Sequence, residues 1–139
     1  MTAKEFLSQA YRLDLRINSK IEQMASLNEL AAKCTSAVTG MPRNPAKSRS
    51  PMEDAVVKIV ALEEEIDRDI DRLVDLKREI VRVIKEVENP EYQTLLEKRY
   101  LCFMTWEQIA VDMNYSIQHV YRLRNRALKE ICVPDERGE

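Results

Sequence analysis

The sequence predicts an all-α fold, in which a long antiparallel, coiled-coil-like helical hairpin is followed by a C-terminal helix-turn-helix. The chain has 139 residues, of which only two are glycine and 6% are aromatic, so that little material is left for turns and strands. Hydrophobic residues make up 45% and charged residues 33%, which is typical of long helices and coiled coils. Apolar residues also recur at alternating three- and four-residue steps over two long stretches.

The first stretch predicts one helix from about Ala3 to Ala37. Its apolar residues follow a heptad seam that only Lys20 interrupts. The seam consists of Phe6, Ala10, Leu13, Ile17, Met24, Leu27, Ala31, Cys34 and Val38. Residues 38–51 are rich in Gly, Pro and Ser and carry three basic residues, so they predict a solvated linker.

A second seam predicts a helix from Met52 to about Val87, interrupted by Glu63 and Lys77. It consists of Val56, Ile59, Ile66, Ile70, Leu73, Ile80, Ile84 and Val87. Further apolar residues, among them Val60 and Val74, widen the stripe, as a helix with more than one neighbour requires. The linker allows two helices of roughly 50 Å to fold back as an antiparallel hairpin, whose extra apolar faces could meet a second copy.

Two lysines interrupt these seams, and each has two interpretations. Lys20 and Lys77 either meet acidic residues of the opposite helix and so select the register, or lay their aliphatic stems along the seam. The second seam ends at Asn89-Pro90, because proline disfavours the helical conformation in the residue before it and is itself suited to a first helical turn. A short helix from Pro90 to Tyr100 is expected next.

The stretch TWEQIAVDMNYSIQHVYRLRNRALKEI, residues 105–131, predicts two helices around a tight turn. Thr105 and Gln108 have the spacing of a capping box at the start of the first helix. Asn114 tolerates the left-handed conformation that ends a helix, and Ser116 is suited to cap the next one. With the small Ala110 at the crossing, this order predicts a helix-turn-helix.

The second helix of this motif carries the chemistry of DNA recognition. Residues 116–131 hold four basic residues and one acidic residue, a local charge of plus three in a chain of net charge −2. Gln, Asn and Arg can read base edges, and Arg or Lys can neutralise phosphates. Helical spacing puts Gln118, Arg122 and Asn125 on one exposed face. Double-stranded DNA is therefore the expected partner; the alternative is an ordinary amphipathic pair with a solvated basic face.

Residues 106–126 resemble the helix-turn-helix of the fourth region of bacterial sigma factors. TWEQIAVDMNYS is similar to its first helix and turn, VYRLRNRALKEI to its recognition helix, and ENPEYQTLLEKRYL to the helix before them. Ala110, Asn114 and Val120 occupy the small, turn and buried aliphatic positions of that pattern, although Asn114 stands where glycine is usual. Nothing in the chain resembles the second sigma region, so the resemblance does not imply a true sigma factor.

The layout of the whole chain resembles small regulators from phages and prophages of Gram-positive bacteria, akin to ArpU-type late-gene regulators. The likeness is close in NPEYQTLLEKRYLCFMTWEQIA. It implies a sequence-specific transcriptional regulator of phage genes, with residues 1–88 for oligomerisation, residues 89–133 for DNA binding and a tail at 134–139. The alternatives are a small-terminase-like subunit that recognises DNA for packaging, and a structural coiled-coil adaptor without DNA binding.

The resemblance and the spacing together assign roles to nine residues. Those expected to face bases are Ile117, Gln118, Tyr121, Arg122 and Asn125. Those expected near phosphates are Ser116, Arg124, Arg126 and Lys129. His119 is either a solvated helix residue or a pH switch. Because four or five phosphate contacts give only weak binding, about 10⁻⁴ to 10⁻⁶ M, a homodimer is expected, and RNA polymerase is a further candidate partner.

The sequence argues against an enzyme and against a bound cofactor or metal. It has no phosphate-binding loop and no recognisable nucleophile with its base. Three widely spaced cysteines and a single histidine do not form a zinc motif, and reduced thiols are expected. The N-terminus lacks the apolar run of a signal peptide, and no segment reaches the length of a membrane span. These features predict a cytoplasmic protein.

Overall fold

The computed structural model of the protein describes residues 1–37 and 51–134, without the side chains of residues 34–37. Five helices account for the regular structure in these ranges: α1 (Ala3–Ala37), α2 (Pro51–Lys85), α3 (Pro90–Tyr100), α4 (Trp106–Met113) and α5 (Ile117–Lys129). The all-α prediction is confirmed, and the expected helix bounds agree to within about two residues. Residues 38–50 of the predicted linker, the seam residues Cys34 and Val38, and the tail beyond Pro134 lie outside what is described. Among the described helices, none combines the length and the apolar character needed to cross a bilayer.

The break between α2 and α3 follows from local chemistry at two residues. The Asn89 side chain accepts a hydrogen bond from the backbone N–H of Glu91 at 2.9 Å and so caps α3. Pro90 occupies the first turn, where the missing N–H costs nothing because that position has no partner within the helix. The capping residue and the proline therefore define the start of α3 through local interactions.

The chain divides into two compact units, Met1–Asp14 with Arg72–Glu139, and Leu15–Asp71. The first unit holds the main hydrophobic core. The start of α1 contributes Phe6, Leu7 and Ala10 to it, and Leu7 is completely buried. The rest comes from the end of α2, from the three short helices and from the segments that follow α2 and α5, namely Ile80, Val83, Ile84, Val87, Leu95, Leu96, Tyr100, Ile109, Ala110, Val120, Leu123, Ala127 and Val133. The three C-terminal helices therefore share one core with the start of α1 and the end of α2.

The second unit, Leu15–Asp71, contains a largely buried ion pair. Lys20 Nζ of α1 lies 2.6 Å from Asp69 Oδ2 of α2, and the two side chains are only 16% and 11% exposed. Glu65 Oε2 lies 4.0 Å from the same Lys20 Nζ. Of the two interpretations given to Lys20, the structure supports contact with acidic residues of the opposite helix.

The buried face of α2 differs by one residue from the predicted seam at two positions, Val56 and Ile70. Val56 and Ile70, expected on the seam, are 46% and 41% exposed, whereas their neighbours Ala55 and Asp69 are buried. The line Ile59, Ile66, Leu73, Ile80 and Val87 was correctly predicted and is partly or fully buried. Ile84, also on the predicted seam, is completely buried as expected. Val56 and Ile70 were misassigned because valine and isoleucine are more apolar than alanine and aspartate, and because the burial of Asp69 depends on its ion pair with Lys20.

Candidate nucleic-acid interface

Helix α4 begins with the capping box that its sequence predicts. The Thr105 hydroxyl accepts from the Gln108 backbone N–H at 3.1 Å, and the Gln108 side-chain oxygen accepts from the Thr105 backbone N–H at 2.9 Å. Each side chain thereby satisfies a backbone donor that the helix leaves without a partner. The start of α4 is thus defined by two reciprocal hydrogen bonds.

A three-residue turn separates α4 from α5. Asn114 adopts the left-handed conformation, with φ 62° and ψ 41°, and its backbone N–H reaches the carbonyl groups of Ala110 and Val111. The backbone N–H of Tyr115 donates to the Ala110 carbonyl at 2.9 Å, which closes the end of α4. The Ser116 hydroxyl accepts from the His119 backbone N–H at 3.2 Å and starts α5. The predicted cap and left-handed residue are both confirmed.

Two side chains of α3 contact the turn and the end of α4. The Tyr115 hydroxyl donates to a carboxylate oxygen of Glu91, and this hydrogen bond raises the pKa of the Tyr115 phenol. Lys98 forms an ion pair with Asp112 of α4. The Tyr115 ring also meets the edge of the His119 ring, at 4.7 Å between centroids. The turn is therefore tied to α3 as well as to the shared core.

The outer face of α5 is polar and basic. Val120, Leu123 and Ala127 are buried and dock the helix. The residues that remain exposed are Gln118, Arg122, Asn125, Arg126 and Lys129. No acidic residue interrupts this face within α5. The structure thus brings five of the nine predicted site residues together on one exposed surface, which we call the α5 outer face.

Of the other predicted site residues, two lie at the edge of this face and one caps the helix. Ile117 and Tyr121 are half-buried, and Ile117 packs against the core. Ser116 is exposed, but its hydroxyl already serves as the cap of α5. Their proposed contacts with DNA stay predictions.

Arg124 has a setting that the sequence did not suggest. Its guanidinium lies 5.7 Å from the centre of the Trp106 ring and 4.9 Å from that of Tyr121, and its Nε donates to Asn125 Oδ1 at 3.2 Å. Arg99 of α3 also lies over the Trp106 ring, at 5.0 Å. Trp106 therefore links α3 and α5 through two cation–π contacts, each worth about 0.5–1 kcal/mol when exposed. Spacing could not reveal this, because the three residues belong to different helices.

A second unpredicted feature is Phe103, between α3 and α4. It has a φ of 58°, a conformation that is uncommon for a bulky residue. Lys77 lies 4.7 Å from the centre of its ring, and the Tyr11 ring lies 5.4 Å away. Lys77 therefore contacts an aromatic ring and not an acidic residue, which neither interpretation of the sequence anticipated. The stretch LCFMT contains no glycine that would have signalled a left-handed residue.

Replacing the cap of α5 tests how much this geometry depends on Ser116. We expect Ser116→Ala to lower the free energy of unfolding by about 1 kcal/mol, because the His119 backbone N–H loses its acceptor. Chemical denaturation followed by circular dichroism measures the effect. Ser26→Ala, on an exposed surface of α1, is the matched control, and an equal loss in both variants would contradict the capping role.

A protein-family model matches most of the chain. The model of a family described as "Protein of unknown function (DUF1492)" matches residues 44–132. This range includes all of α2 to α5, and with them the α5 outer face. No curated protein and no solved structure shows a significant similarity to the chain.

Proposed function

The chain belongs to the DUF1492 family, and we propose that it is a sequence-specific DNA-binding protein that regulates transcription of phage or prophage genes. In this proposal α4 and α5 act as a helix-turn-helix, and α5 is the recognition helix that enters the major groove. The observation that carries the proposal is the α5 outer face, an exposed surface with three cationic side chains and two amide side chains and with no acidic residue. The resemblance of this segment to the fourth region of sigma factors supports the same assignment.

The chemistry of the α5 outer face suits both parts of DNA recognition. Gln118, Arg122 and Asn125 have side chains that form paired hydrogen bonds with base edges. Arg126 and Lys129 lie further along the same helix, where phosphates would be the nearest groups. The Nε of Arg124 hydrogen-bonds to Asn125, so we propose that Arg124 also orients this amide. The capped turn and the shared core hold these side chains on a rigid helix, which limits the entropy lost on binding.

A single recognition helix does not supply the affinity that a regulator needs. Four or five phosphate contacts give nonspecific dissociation constants of about 10⁻⁴ to 10⁻⁶ M, whereas specific regulators bind at about 10⁻⁸ M or tighter. We therefore propose that two copies bind together, with α1 and α2 as an antiparallel hairpin that joins them. RNA polymerase bound nearby is a second source of contacts.

Arg122→Ala tests base reading at the α5 outer face. We expect it to weaken binding to the specific site by about 1–3 kcal/mol, with a smaller effect on random DNA, because a bidentate contact with a base would be lost. Electrophoretic mobility shifts at fixed salt measure both. Arg82→Ala is the matched control, since Arg82 is exposed on α2. An equal loss on both DNAs would leave Arg122 with a phosphate role only.

The specific site itself has to be found first. Purified full-length protein would select bound fragments from a bacterial or prophage genome, and sequencing of those fragments would show whether the site is single or palindromic. Recovery of a common promoter-proximal sequence supports the proposal. Unchanged migration of all DNA at low salt, with protein at tens of micromolar, would leave a structural adaptor as the better explanation. A ring of eight or more copies would favour a DNA-packaging subunit.

A further inference from the structure

The side-chain amide of Asn125, on the α5 outer face, has a defined orientation. An asparagine amide can make half a turn about its last bond, which exchanges the carbonyl oxygen, an acceptor, with the NH2 group, a donor. The Nε of Arg124 lies 3.2 Å from Asn125 Oδ1. Because arginine only donates hydrogen bonds, the oxygen and not the NH2 group must face Arg124. This contact therefore decides which way the donor and the acceptor of Asn125 point.

Two aromatic rings restrain the half-buried side chain of Arg124. Its guanidinium carbon lies 4.9 Å from the centre of the Tyr121 ring, on the same helix, and 5.7 Å from the centre of the Trp106 ring, on α4. A planar guanidinium is attracted to aromatic faces, and this attraction limits the conformations that a long arginine side chain samples. The donor that orients Asn125 is therefore itself held in place.

Trp106 is anchored from the side of α3. Its ring lies edge-on to that of Tyr100, with 6.4 Å between centroids and 81° between ring planes, and Tyr100 is only 4% exposed. The guanidinium of Arg99 lies 5.0 Å from the centre of the Trp106 ring, and its Nη1 donates to the Met104 carbonyl at 3.0 Å. Trp106 is therefore a fixed platform for the guanidinium of Arg124.

An amide held in this way still offers both a donor and an acceptor to a base edge. The carbonyl oxygen of Asn125 has two lone pairs, of which Arg124 occupies one, and the NH2 group lies on the other side of the amide. A donor beside an acceptor matches N7 and the N6 amino group of adenine, whereas guanine presents two acceptors and cytosine one donor. An amide that turns freely would meet guanine with its NH2 group and cytosine with its oxygen, and would discriminate less.

We propose that Asn125 reads an adenine in the major groove and that Arg124, held by Trp106 and Tyr121, is a positioning residue for this contact. This role takes the place of the phosphate contact that the sequence suggested for Arg124. The inference rests on the proposed function and deepens it by naming the base. Because Trp106 belongs to α4, the first helix of the motif contributes to base discrimination without touching the base.

Electrophoretic mobility shifts with the full-length protein test the reading of adenine. The probes carry the selected site with each base pair replaced in turn, and a random duplex serves as reference. Asn125→Ala should lose base preference at a single pair, where the original protein prefers adenine by about tenfold or more. Arg124→Lys keeps the charge but lacks the Nε–H, so it should lower that preference to less than about threefold and affect the random duplex much less.

Two replacements of Trp106 test its role as the platform. Trp106→Phe keeps an aromatic face and should keep most of the preference for adenine, whereas Trp106→Leu should lower it as Arg124→Lys does. Thermal unfolding checks that both variants remain folded. Arg126→Ala is the matched control, since Arg126 is exposed on α5 where a phosphate contact is expected. It should weaken binding to all probes alike and leave the base preference unaltered.

The contact between Arg124 and Asn125 is also testable without DNA. NMR of the isotope-labelled free protein observes the Arg124 Nε–H directly. Asn125→Ala should shift this resonance and speed its exchange with water, because the acceptor is lost. Gln118→Ala, on the same exposed face, should do neither.

Any of four results would overturn the inference. They are a preferred base other than adenine at the pair read by Asn125, no pair at which Asn125→Ala changes the preference, an unaltered preference in Arg124→Lys or in a folded Trp106→Leu protein, and an Arg124 Nε–H that does not respond to Asn125→Ala. Specific DNA binding together with one of these results would leave the proposed function standing. Absence of DNA binding would overturn the proposed function and the reading of adenine together.

Discussion

Val120→Asp is expected to abolish the folded state of the three C-terminal helices. Val120 lies on the buried face of α5 and is completely buried in the core. The substitution would therefore place a carboxylate among apolar side chains. An isolated charge in such a site is far too costly to be tolerated, and the variant would either unfold or keep the acid protonated at a large energetic cost. Thermal unfolding followed by circular dichroism should show no cooperative transition at neutral pH.

Val120→Ala is the control for this experiment. It removes two methyl groups without adding charge, and we expect a loss of roughly 1–3 kcal/mol with the cooperative transition retained. Val111→Asp is a second control, because Val111 of α4 is 80% exposed and its replacement should leave stability nearly unchanged. A normal melting transition for Val120→Asp would contradict the packing of α5 described above.

Leu7→Asp, almost at the other end of the chain, is expected to have an effect nearly as large on the same helices. Leu7 is completely buried in the core that α3, α4 and α5 share with the ends of α1 and α2. A charge at this position should therefore increase amide hydrogen exchange in α5, more than a hundred residues away in sequence. Hydrogen exchange measured by mass spectrometry on peptides from residues 117–129 reads out this coupling directly.

Leu15→Asp on the same helix is the matched control, since Leu15 is 50% exposed and should tolerate the change. If residues 89–133 fold by themselves, as the boundary predicted from the sequence supposes, Leu7→Asp will leave exchange in α5 unaltered. The experiment therefore decides between a C-terminal domain that is independent and one that needs the start of α1. It also tells whether a short C-terminal fragment is a usable reagent for DNA-binding measurements.

The features that the sequence predicted well depend on interactions between residues that are near one another in the chain. Thr105 with Gln108, the left-handed Asn114 and the cap at Ser116 involve hydrogen bonds over three or four residues. Asn89-Pro90 defines the start of α3 in the same way. For such features, the residue types and their spacing are enough to predict which local hydrogen bonds form.

The features that the sequence did not predict depend on contacts between distant residues. Asp69 is buried because of Lys20, which is 49 positions earlier, and hydrophobicity alone assigned its place to Ile70. Arg124 was expected near a phosphate, yet its guanidinium lies over Trp106 and Tyr121. The exposed positions Gln118, Arg122 and Asn125 were predicted because helical spacing is enough to place them. Which of them touches DNA depends on a partner molecule, and only binding measurements address it.

The ion pair between Lys20 and Asp69 has a consequence for how the chain avoids misfolding. Heptad seams are nearly periodic, so two long helices can slide by seven residues and still oppose apolar side chains. Such a slip would set Lys20 opposite Leu62 or Leu76, and Asp69 opposite Leu13 or Leu27. Each shifted arrangement would bury two charges against leucine, whereas the native one joins them at 2.6 Å. We therefore expect this lysine and this aspartate to disfavour pairings of α1 and α2 that are out of register.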